Sequence, residues 1–143
     1  MNLREKFNHK GLRLTHPRRV VLSILEQANV PLSPQSIHQR SQEAHEDIGL
    51  VSVYRTLDLL IELGLVRRMH GSGGCQGYVY ASPGHTHHLI CQKCDKVIEF
   101  SGTCDLEALI HRIELQTGFK IDGHLLQLHG LCPECQKENC LGK

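Results

Sequence analysis

The chain has 143 residues, 40% of them hydrophobic and 4% aromatic, with 16 basic and 15 acidic side chains for a net charge of +1. That length allows one long domain or two short ones, and no apolar run approaches the roughly 20 residues that a membrane-spanning helix needs. The first ten residues are polar and charged, so no secretory leader is expected. Seven cysteines without a leader point to a reducing cytoplasm, where thiols serve metal rather than crosslinks. The near-neutral total hides an asymmetry. Residues 1–70 hold ten Lys/Arg against seven Asp/Glu, whereas residues 71–143 hold six against eight, with every cysteine and six of the eleven histidines. The front suits a polyanion and the back suits metal, although a charge block alone is usually a solvated face.

Leu3 to His9 reads as a short helix ended by Gly11. Thr15-His16-Pro17 opens a second, with Thr15 placed to cap it, proline in its first turn, and Val20, Val21, Ile24 and Leu25 at helical spacing. Ser33 caps a third, running through Ile37 to about Ala44. In the fourth, Val53, Leu57, Leu60 and Ile61 make one apolar stripe and Gly64 stops the helix. Ser52, Tyr54 and Arg55 are left near its exposed N-terminal end, the end that a recognition helix lays against base edges and phosphates. Arg suits bidentate contact with guanine, and Tyr suits a thymine methyl or a phosphate. Two strand-like runs, Leu65 to His70 and Gln76 to Ala81, follow around Gly71-Ser72-Gly73-Gly74. Three helices and a Gly-rich hairpin predict a winged helix-turn-helix rather than a plain helical bundle.

The back half opens on His85-Thr86-His87-His88-Leu89-Ile90-Cys91-Gln92-Lys93-Cys94, and a second Cys-x-x-Cys stands at Cys132-Pro133-Glu134-Cys135. Zn²⁺ takes four tetrahedral thiolate or imidazole ligands, and a two-residue gap aims both sulfurs at one ion. A redox Cys-x-x-Cys prefers a helix start; both pairs here follow strand-like runs, so Cys91, Cys94, Cys132 and Cys135 are expected to hold structural zinc. Val97 to Phe100 reads as a strand, and Leu106, Leu109, Ile110 and Ile113 as an amphipathic helix closed near Gly118. Ile121 to His129 is expected as a strand with Leu126, Leu128 and His124 on one face. His85 and His87 share a side by the same alternation, and Glu107 edges the helix's apolar stripe. Brought together by one ion, these segments would couple metal to the fold of an α+β unit that is small to fold alone.

Val53-Tyr54-Arg55-Thr56-Leu57 together with His85-x-His87-His88-Leu89-Ile90-Cys91-x-x-Cys94 resembles the ferric uptake regulator superfamily of metal-sensing repressors. Gly11-Leu12-Arg13-Leu14-Thr15-x-Pro17-Arg18, Val97-Ile98-Glu99-Phe100 and Gly130-Leu131-Cys132-Pro133-x-Cys135 extend the likeness over about residues 10–136, in the family's order. The resemblance implies a winged-helix DNA-binding domain over 1–81 and a dimerisation and metal-binding domain over 85–143. It implies that Tyr54 and Arg55 meet DNA with Arg13, Arg18 and Arg19 near its backbone, and that His85, His87, Glu107 and His124 form the regulatory site.

For a further site between the domains the family's usual residues are partly missing: Val30-Pro31-Leu32-Ser33 has no histidine, and Arg67 stands where zinc sensors often carry Asp or His. Cys75, His88, Cys104 and His70 are the remaining candidates. Thiolates favour zinc, whereas all-N/O sites suit Fe²⁺ or Mn²⁺; the spare cysteines tilt the reading toward a zinc uptake regulator over an iron one. The expectation is a cytoplasmic homodimer that binds a palindromic DNA operator. A zinc hydrolase or deaminase would need His-x-Glu with Pro-Cys-x-x-Cys, which is absent. A peroxide sensor or a zinc-stapled protein-interaction module would also make use of paired cysteines.

Overall fold

A computed structural model describes residues 3–71, 74–82, 86–101, 106–124 and 126–141, with the backbone alone at 71, 74–76 and 138–141. Four helices come first: α1 (Leu3–His9), α2 (His16–Gln27), α3 (Pro34–Glu43) and α4 (Leu50–Glu62). Ser33 caps α3 as expected, its Oγ accepting from Ser36 N at 3.1 Å. Thr15 takes the N-cap position of α2 without a side-chain cap bond; there its carbonyl accepts from Arg19 N at 3.0 Å. Val21, Leu25, Ile37, Val53, Leu57 and Leu60 are essentially inaccessible and form the front core with Phe7 of α1. Each such side chain contributes about 1.5–3 kcal/mol by leaving water. Ile61, assigned to that stripe, is only partly buried. Gly64, at φ +72°, stops α4 and turns the chain into the hairpin.

Strands β1 (Val66–Gly71) and β2 (Gly74–Tyr80) pair antiparallel, with a bulge between Met69 and His70. The loop before α3 adds a bridge to them: Leu32 N donates to Tyr78 O at 3.0 Å and Tyr78 N returns to Leu32 O at 2.9 Å. That close approach explains Gly77, where a Cβ would meet the Leu32 backbone at 2.8–2.9 Å.

The back half is a three-stranded sheet in the order β4-β3-β5, with β3 (Thr86–Cys91) central. Strand β4 (Val97–Ser101) runs antiparallel to β3, and β5 (Gln127–Gly130) runs parallel to it. The parallel pairing needs a crossover, and the intervening chain carries α5 (Glu107–Thr117). Gly118 closes α5 in the left-handed region. Past it, the expected strand from Ile121 shrinks to Gln127–Gly130, and His124 precedes it rather than lying on it. The cause is local. Ile121 N donates to Glu114 Oε1 at 2.8 Å, and Phe119 N to Thr117 Oγ1 at 3.3 Å, so the start of the expected strand is tied to the helix instead of the sheet.

A helix not expected from the sequence, α6 (Pro133–Leu141), follows β5. The second Cys-x-x-Cys therefore does open a helix, which removes the topological ground for preferring metal there; the sulfur geometry must decide. No residue of α5 is buried, and Leu109, Ile113, Ile98 and Leu128 stay 37–45% exposed. The halves meet through a small cluster of Met69, Val79 and Ile90 with Val97 beside it, and through Val97 N to Asn29 O at 2.7 Å.

Candidate metal centres and nucleic-acid interface

Cys91 ends β3, Cys94 closes the turn after it, and Cys132 and Cys135 bracket the start of α6. One ligand atom from each lies within 4.8 Å of the others, and Cys94 and Cys132 Sγ are 3.7 Å apart. Zn–S bonds of about 2.3 Å in a tetrahedron require S–S edges of about 3.8 Å, so the donor set fits zinc. All four are free thiols rather than disulfides.

Backbone geometry prepares them. Cys132 N donates to Cys91 Sγ at 3.4 Å, and Asp95, at φ +63°, turns the first knuckle. Backbone N–H groups of Cys132 and Cys94 hold the Cys91 thiol down to about 6, while the hydrogen bond with Cys132, then burial, drives Cys135 upward. Four sulfurs this close cannot all ionise by themselves. A dication held by the four would supply the charge that makes a tetrathiolate stable.

On β3, alternation sends His87 and His88 to opposite faces of the sheet. His87 is buried, and its ring stacks on that of His124, centroids 5.5 Å apart and planes 26° from parallel. Phe100, the β4 partner of His87, lies 5.6 Å from it. Two of the four expected regulatory ligands are thus together. Glu107 stands exposed in the first turn of α5, and His85 lies outside the described residues. Among the described residues, the four-cysteine cluster is the only gathering of three or more such donors.

His88 faces the front half instead. Its Nε2 lies 3.1 Å from Tyr80 O and its Nδ1 3.5 Å from Arg67 Nη1. A carbonyl only accepts and a guanidinium only donates, so this is the neutral tautomer protonated on Nε2. Burial, which pulls the ring's pKa down, favours the same form. Arg67 also donates to Thr86 O at 2.6 Å, and Glu99 accepts from Ser82 N through both oxygens at 3.1 and 3.2 Å. To ligate a metal, His88 would have to give up the carbonyl or the guanidinium. His70 is exposed, with its carbonyl accepting from Gln127 Nε2 at 2.7 Å. The Cys75 side chain and Cys104 lie outside the described residues.

The front of α4 presents Val51, 62% exposed, Tyr54, 43% exposed, and the exposed Arg55, with Ser52 half-buried. Arg13 and Arg19 are also exposed. Arg18 is half-buried, its guanidinium 5.9 Å over the Phe7 ring and donating to the Arg13 carbonyl, a tie between α1 and α2. Two residues here escaped the sequence reading. Val51 is an apolar side chain offered to solvent on the second residue of the helix; its place on the same outward stripe as Tyr54 and Arg55 was the available signal. Gln35, whose Nε2 is 3.0 Å from Tyr54 Oη, carried none.

The sequence profile of the Ferric uptake regulator family matches residues 9–129. The "Ferric uptake regulation protein" of Legionella pneumophila is 37% identical over 133 residues, 92% of this chain and 97% of that protein. Among solved structures, the Vibrio cholerae ferric uptake regulator is 31% identical with a TM-score of 0.63, covering 92% of this chain and all of that one. A zinc uptake regulator complexed with zinc and DNA superposes with a TM-score of 0.74 at 26% identity, over 95% of this chain and 91% of that one.

Proposed function

This chain belongs to the ferric uptake regulator family, and from that premise we propose that it is a zinc-sensing repressor whose rear half converts metal occupancy into operator affinity. Members of the family are metal-responsive DNA-binding regulators rather than enzymes, and their partners are a DNA operator and a second copy of the chain. In this reading residues 1–81 meet DNA and residues 85–143 dimerise and hold metal, in the cytoplasm. No described helix is long and apolar enough to cross a membrane. Cys91, Cys94, Cys132 and Cys135 keep a permanent zinc. His85, His87, Glu107 and His124 form the labile site, where a dication would supply the charge that draws imidazoles and a carboxylate from separate segments together. Tyr54, Arg55 and Ser52 read the major groove, and Arg13 and Arg19 lie along the phosphates.

The observation that carries the reading is the stacked His87–His124 pair. Strand β3 and the segment before β5 converge there, in the same sheet that the cysteine cluster closes. Filling the labile site fixes how the paired winged helices stand, about 34–36 Å or a multiple apart for successive major-groove faces. A 100-fold preference of metal for that arrangement corresponds to about 2.7 kcal/mol of coupling, and DNA must then tighten metal binding equally. A second reading, Fe²⁺ as the sensed ion, is favoured by the names of the curated relatives and by an all-N/O ligand set.

The test is titration of a palindromic operator, selected from random DNA, with protein freed of labile metal and then reloaded with Zn²⁺ or Fe²⁺. Restoration by Zn²⁺ at free concentrations where Fe²⁺ has no effect supports zinc, and restoration by Fe²⁺ alone supports the second reading. Equal affinity with and without labile metal would remove the sensing role.

A further inference from the structure

We propose that Gln35 is a positioning residue for DNA reading, which sets the direction of the Tyr54 hydroxyl and makes that hydroxyl a donor toward the operator. The proposal rests on the placement of Tyr54 at the DNA face argued above. The two residues are nineteen apart in sequence, and the packing of α3 on α4 brings them together. Ile37 on α3 and Val53 and Leu57 on α4 are fully buried on the other side of this pair of helices, so neither backbone is free to drift. Gln35 sits in the first turn of α3, which is fixed by Pro34 and by the Ser33 cap. The backbone of Gln35 is therefore fixed, and its exposed side chain reaches Tyr54 from there.

Gln35 Nε2 donates to Tyr54 Oη at 3.0 Å. An amide N–H offers no lone pair, so the bond occupies an acceptor position on the phenol and leaves the phenolic proton to the other side. A phenol both donates and accepts; held this way, its outward group is the donor. The partners that fit are acceptors: a phosphate oxygen, guanine O6 or N7, adenine N7, or thymine O4. The bond also restrains an exposed aromatic side chain before DNA arrives, which lowers the ordering cost of binding.

The competing possibility is that Gln35 lies near the operator and touches it directly, since α3 begins at the same surface. A double-mutant cycle separates the two, using the metal-loaded dimer and a selected operator at one fixed salt concentration. Gln35→Met in the Tyr54 protein should weaken binding about fivefold for each half-site, the usual size of one net hydrogen bond. The same substitution in a Tyr54→Phe background should change affinity less than about twofold, because the hydroxyl it acts through is gone. Thermal unfolding should be the same for all four proteins, which excludes a folding cause. An equal loss in both backgrounds would mean that Gln35 acts on DNA by itself, and no loss in the Tyr54 protein would mean that the bond is idle; either overturns the proposal. Should Tyr54→Phe and Tyr54→Ala both bind like the parent, the placement of Tyr54 fails instead, and the two failures are told apart.

Discussion

Arg18 and Arg55 look alike in the sequence, each a cation beside a helix start, and their surroundings make them different. Arg18 spends its guanidinium on the Phe7 ring and the Arg13 carbonyl, whereas Arg55 is exposed on the outward stripe of α4. Replacing Arg55 with Ala should therefore cost operator affinity roughly 5- to 150-fold for each half-site, the 1–3 kcal/mol of a lost bidentate base contact. Sedimentation should show the dimer intact, and a loss of the dimer would contradict the division of labour. The cysteine set was legible because a two-residue gap encodes its geometry directly. His87 was legible as a ligand candidate, but its stacking on His124 was not, since the 36 positions between them are spanned by a crossover that no local pattern reports. Arg67 was noticed only as a residue out of place; its bonds to Thr86 O and His88 depend on the approach of β1 to β3.

At the level of elements, helices with a strong buried stripe, a capping residue and a closing glycine were read to within a residue or two. The failures came where a side chain intercepts the backbone: Glu114 takes Ile121 N and shortens β5, and α6 forms behind a proline without an apolar stripe to announce it. The Leu32–Tyr78 bridge was equally silent, although it explains a glycine. Gly77 has φ +136° and no room for a Cβ against the Leu32 backbone. Gly77→Ala is expected to destabilise the front half by at least roughly 1–3 kcal/mol, the usual cost of holding a non-glycine residue in a disfavoured backbone region. Denaturant midpoints would check it, and an unchanged midpoint would mean that the bridge contributes nothing.

For the molecule as a whole, the α+β class and the four-cysteine cluster of the rear were readable from order and spacing. The association surface was not, because an apolar residue facing a partner has the same pattern as one facing the core. Leu109 and Ile113, read as part of the apolar stripe of an amphipathic helix, stand 37–45% exposed together with Ile98 and Leu128 on the sheet. In a chain whose family acts as dimers, that face is the natural one to meet the second copy. Leu109→Asp with Ile113→Asp should yield folded monomers in sedimentation with little change in helix content, and operator binding should fall with the loss of the second half-site. A dimer that survives both charges would place the interface elsewhere. The cysteine cluster adds a constraint of a different kind. It brings Cys91 and Cys94 against Cys132 and Cys135, so β4, α5 and His124 all lie on a loop whose ends one ion would hold shut. Opening such a loop returns to the chain the freedom that closure had removed. His87 and His124 then lose their common address. If both sites fill as proposed, the two metals would obey a precedence, the rear thiols first and the imidazoles second, and a protein stripped of its first ion would not respond to the other.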